Sequence, residues 1–152
     1  MRIFGPGFES RLGRFSTLES VFLYEHPFDC MHRGTLRIKR VYEAPSPEDG
    51  MRVLVDRLWP RGLSLEKAAV DRWMKEIAPS DGLRHWYSHD REKYDEFRRR
   101  YRAELDSNDT AVGELLSAAS SGPVTLLYSS SSPDINNAVV LLEYIRERMR
   151  NK

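Results

Sequence analysis

The chain is nearly free of cysteine: Cys30 is the single one in 152 residues. A lone thiol excludes an internal disulfide framework and any Cys-x-x-Cys metal or redox pair. Long apolar runs are missing as well. Stretches such as Val53-Leu54-Val55 and Ala138-Val139-Val140-Leu141-Leu142 fall far short of the about 20 residues a membrane span requires, so no membrane partner is expected. Nor is there an excess of charge of one sign. Lys and Arg number 24 against 23 Asp and Glu, a net charge of +1, whereas a nucleic-acid binder usually carries a clearly basic domain. Such a partner is only weakly supported and would need a local patch. Internal repeats are absent, and the only low-complexity tract is the four serines 129–132. A secretory leader needs an apolar centre of about 7–15 residues, and the best candidate is Val21-Phe22-Leu23-Tyr24 between Glu19 and Glu25. With one thiol and no leader, the expected compartment is the reducing cytoplasm.

What is present describes a globular domain. Hydrophobic residues make up 40% of the chain and charged residues 31%, a balance that supports a buried core. The length suits one domain of about 100–200 residues. Residues 1–34 read as an N-terminal extension. Gly5-Pro6-Gly7 marks a turn, Leu12, Phe15, Leu18 and Phe22 follow a short amphipathic spacing, and the folding signals begin only after Met31. A disordered segment and a start assigned too early both account for that contrast.

The body, residues 35–152, alternates strands with helices. Three strands are expected, at 36–42, 52–57 and 124–128, the last two apolar enough to be covered on both faces. Ser64 and Ser80 are placed to cap short helices. A longer helix near 91–106 has Asp90 as its cap and Tyr94, Phe97, Tyr101 and Leu105 as its apolar face. Helices near 111–120 and 134–149 follow, the first stopped by Gly122 and Pro123. Residues 70–77 are ambiguous between strand and helix. The expected fold is therefore a small single-domain α/β protein with a largely parallel sheet of about three strands flanked by helices. Such sheets bind ligands beyond the carboxyl ends of their strands, which selects two segments: Asp56 to Gly62, and Tyr128 to Asn137.

The run Lys39-Arg40-Val41-Tyr42, followed by Asp49-Gly50-Met51-Arg52-Val53-Leu54-Val55-Asp56-Arg57-Leu58-Trp59-Pro60-Arg61-Gly62, resembles the YeaO-like branch of domain-of-unknown-function family 488. The likeness continues through Lys75-Glu76-Ile77-Ala78-Pro79-Ser80, Trp86, His89-Asp90, Arg100-Tyr101 and Asn136-Asn137-Ala138. It implies a compact cytoplasmic α/β domain and supplies no activity. The family commonly reads Ala-Lys-Asp and then a His after the third strand, where this chain has Ser130, Ser131, Ser132 and Ile135. Functions that depend on that lysine, aspartate or histidine are therefore not carried over.

The two segments define the candidate site. Arg57, Arg61 and Arg84 offer planar donor forks suited to phosphate or carboxylate. Ser129, Ser130, Asn136, Asn137 and the backbone at the start of the last helix would face the same anion, with Asp134 as a competing cap for that helix. Trp59 and Tyr128 could contact a ring. Asp56 and His89 are the acid/base candidates, Asp90 being placed to fix the tautomer of His89. The competing reading is structural: Asp56 and Arg57 pair with each other or with neighbours and merely hold the loop. His85 and His89 have the one-face spacing of two metal ligands but lack a third, so no metal is expected, and no motif specifies a cofactor. The function expected is binding of a small anionic, phosphate-containing ligand such as a nucleotide, with catalysis left open. The rival is a non-catalytic protein that binds a protein partner or nucleic acid through the basic helix 91–106. On that helix, Asp95–Arg99 and Glu96–Arg100 are spaced for self-pairing.

Overall fold

The computed structural model describes residues 35–151; the expectations for residues 1–34 lie outside them. Four strands, β1 (Leu36–Arg40), β2 (Met51–Leu54), β3 (Arg72–Trp73) and β4 (Val124–Tyr128), form one sheet in the order β1-β4-β2-β3. All three pairings are parallel. Among the described residues five α-helices accompany them: α1 (Leu65–Ala68), α2 (Asp81–Tyr87), α3 (Tyr94–Asp106), α4 (Asp109–Ser121) and α5 (Asn137–Arg150).

Side-chain alternation along the strands sorts the core into two unequal parts. Ile38, Val53, Val55, Leu126 and Tyr128 point to the face that packs against Phe97, Tyr101, Leu115, Leu141 and Ile145 of α3, α4 and α5. The opposite face, with Val41, Leu54 and Leu127, is closed by Ala68 of α1 and by Trp59, Leu63, Val70 and Trp73. The long helices thus lie on one side, and short segments cover the other.

The thin side carries the connection from β1 to β2, which returns without an α-helix. Its Asp49 is buried and bonds Lys39 and Arg52, while its carbonyl accepts the Thr125 hydroxyl at 2.7 Å. Burial pushes the Asp49 carboxyl up, but hydrogen bonds from the Ser46 backbone, Arg52 and Lys39 outweigh it and leave it below its ordinary value. The Arg52 guanidinium also donates to the Ala68 and Ala69 carbonyls at 2.9 Å each, so the last turn of α1 ends on a cation.

The ambiguous segment 70–77 contains both β3 and a 3₁₀ turn, Lys75–Ile77. Two ladder pairs with β2 make β3 a fourth strand too short to show a period. Ser64 and Ser80 cap α1 and α2 as expected. Asp90 caps a 3₁₀ turn, Arg91–Lys93, that leads into α3. Among the described residues, no helix is long and apolar enough to cross a membrane.

Candidate functional site

At the carboxyl ends of β2 and β4 the chain forms a cleft of about 330 Å³. The segments after the two strands meet there through Asp56. Its Oδ2 accepts the Ser129 N–H at 2.8 Å and the Ser129 hydroxyl at 2.7 Å. Other bonds brace the same junction. Asn137 at the start of α5 donates to the Val55 carbonyl at 3.0 Å. Arg40 at the end of β1 reaches the Ser130 carbonyl at 2.9 Å and the Ser129 carbonyl at 3.4 Å. Tyr42 donates its hydroxyl to the Arg61 carbonyl, and Trp73 its indole N–H to the Asp56 carbonyl, both at 2.8 Å. A loop held at this many backbone groups presents a preformed concavity.

Asp56, Arg57, Trp59, Arg61, Arg84, His89, Ser129, Ser130, Asn136 and Asn137 all line this cleft. Tyr128 does not: it is 4% exposed and packs into the helical core, because strand alternation turns it to the same face as Val55. The sequence reading missed Tyr42, Leu58, Pro60, Pro79, Tyr87 and Phe97 as wall residues, and Arg40 as the clamp on the serine loop. Tyr42, Pro79, Tyr87 and Phe97 reach the wall through tertiary packing that no local pattern encodes.

The three arginines differ in their partners. Arg57 donates through Nε to the Pro79 carbonyl at 3.0 Å and through Nη2 to the Ala78 carbonyl at 3.3 Å. Arg84 donates through Nη2 to Asp81 at 3.2 Å, and its buried Nε has no acceptor. The Arg61 side chain has no partner among the described residues. Tyr87 stacks on Phe97 with ring centroids 4.2 Å apart and donates its hydroxyl to the Ile135 carbonyl at 2.9 Å. Burial pushes its phenol up, so it stays a neutral donor.

His89 is exposed, tilts against Tyr87 at 5.7 Å, and has a left-handed backbone with φ 59°. Asp90 does not orient it: the Asp90 carboxylate accepts the Glu92 N–H at 3.0 Å instead. Asp134 does not cap the last helix either. It lies 3.7 Å from Arg91, and Asn136 caps α5 by accepting the Val139 N–H. Among the described residues, no group of three or more His, Cys, Asp or Glu is placed to hold a metal ion.

A family model described as the inactive DUF488-N3 subclade matches residues 35–152. The chain belongs to the DUF488 family. Uncharacterized protein YeaO of Escherichia coli (strain K12) is 41% identical over 111 residues, 73% of this chain and 96% of that protein. Uncharacterized protein Rv3073c of Mycobacterium tuberculosis (strain ATCC 25618 / H37Rv) is 40% identical over 113 residues, 74% of this chain and 95% of its own length. These place the chain in the YeaO-like branch. No solved structure matches it. Ile135 is buried and contributes its carbonyl to Tyr87, and Ser131 is exposed.

Proposed function

We propose that the cleft binds a small anionic ligand carrying a phosphate, and that it does so without turnover. One observation carries the reading: two chain segments more than seventy residues apart share a concavity with Arg57, Arg61 and Arg84 in its lining. A volume of about 330 Å³ lies at the lower end of the roughly 300–1,000 Å³ of small-molecule sites. The walls pair cations with apolar Leu58, Trp59, Pro60 and Phe97, which suits a phosphate attached to an organic body. Binding rather than catalysis is favoured because, of the two acid/base candidates, Asp56 is committed to Ser129 and His89 lacks the expected orienting bond from Asp90. The word inactive in the family model's description points the same way. A cytoplasmic setting goes with this reading and rests on the single thiol of the sequence.

The rival surface on α3 is less suited to an anionic partner, because its arginines are already paired. Arg98 meets Glu143, Arg99 and Arg100 meet Glu96, and Arg102 meets Glu147. Arg99 takes Glu96 rather than the expected Asp95.

A thermal-shift screen of phosphorylated metabolites on the full chain tests the proposal. A ligand at about 100 times its dissociation constant stabilises by about 2.7 kcal/mol, a shift of several degrees. Arg61→Ala is expected to remove that shift while leaving the unliganded melting temperature within about a degree, since the side chain has no partner to lose. A full set of phosphate esters that leaves the melting temperature unmoved would overturn the reading.

A further inference from the structure

Asp81 opens α2 at the rim of the cleft and is not part of its lining. Its Oδ1 lies 3.2 Å from Arg84 Nη2 and 4.0 Å from Arg57 Nε. One carboxylate therefore serves two cleft arginines. Arg84 lines the cleft and its side chain is 38% exposed, so an anion bound there meets its guanidinium. The Asp81 side chain itself is 65% exposed, free to swing into water once it is displaced.

We propose that Asp81 is a built-in counter-anion: it occupies the Arg57–Arg84 pair when the cleft is empty, and a dianionic head group displaces it by taking both guanidiniums. This rests on the anion-site reading above and adds its regulation and its preferred charge. A monoanion would only exchange one carboxylate for another, with no net gain in charge pairing. A terminal phosphate carries close to two charges near neutral pH and neutralises both arginines.

The test titrates the full chain with sulfate, inorganic phosphate and acetate by calorimetry, in the wild type and in Asp81→Asn. Asp81→Asn is expected to bind sulfate and phosphate about threefold to fivefold tighter, the span an exposed ion pair is worth. Acetate should bind only to the variant. In the wild type, ¹H–¹⁵N spectra should show the Arg84 Nε–H resonance moving as sulfate is added, with Arg84→Lys supplying the assignment; this readout does not depend on how well the Asp81 variant folds. Unchanged or weaker sulfate affinity in Asp81→Asn overturns the counter-anion role and leaves the anion site standing. So does an Arg84 Nε–H that stays put at saturating sulfate. Absence of sulfate and phosphate binding in both proteins overturns the anion site and this inference together.

Discussion

The guanidinium of Arg57 is committed to protein carbonyls before any ligand arrives. Its Nε and Nη2 hold the chain at Ala78 and Pro79, the turn that leads into α2. The anion-binding and structural readings of this residue are therefore compatible, since a guanidinium has five N–H donors and two of its nitrogens suffice for the carbonyls. Arg57→Ala is expected to lower unfolding stability by about 1–3 kcal/mol in a urea titration, because two partly buried acceptors lose their donor. Arg61→Ala should stay within about 0.5 kcal/mol in the same titration. Asp56 shows the same economy. It was read from its place after an apolar strand, yet its bond to Ser129 depends on a residue 73 positions away, which no local pattern announces.

At the scale of elements, the helices and the three longer strands were legible because each repeats its signal. The apolar face of α3, the caps of α1 and α2, and the stop after α4 are written in consecutive residues. β3 was not legible: it is an edge strand of two residues defined only by its pairing with β2. The β1–β2 connection repeats no such signal, although its Val41 joins the second core. Its last residue shows why it tolerates so little. Gly50 has φ +63°, and a Cβ there would sit 2.2 Å from the Pro123 carbonyl oxygen. The Met51 N–H donates to that same oxygen at 3.0 Å, so the start of β2 is pinned where the clash would occur. Gly50→Ala is expected to cost about 3 kcal/mol or more, seen as a fall in the denaturation midpoint with the cleft residues themselves untouched.

For the whole molecule, the helical side is laced by surface charge. Arg98 and Arg102 of α3 meet Glu143 and Glu147 of α5, and Glu96 meets Arg99 and Arg100. Hydrogen bonds from Arg99 and Arg100 hold the Glu96 carboxyl at about 2, below its ordinary 4.5. The Arg102 bond lowers Glu147 in the same way. A carboxylate depressed in the folded state contributes stability that is present above its unfolded value and is lost as the pH falls through the folded one. Melting temperature should therefore decline between pH 4.5 and about 2, and Glu96→Gln should flatten part of that decline. Because both groups lie at the surface, added salt should shrink the effect.

The serine loop is gripped by its main chain. Arg40 holds the carbonyls of Ser129 and Ser130, and Asn136 holds that of Ser132, whereas the Ser131 side chain has no partner among the described residues. Shape and chemistry are thereby uncoupled at this tip. The side chain at 131 is exchangeable without recasting the scaffold beneath it, whereas the Ser130 hydroxyl accepts the Ser132 N–H at 3.1 Å and is tied to the turn. The same frame is open to retuning toward a new guest at this one position of the bend.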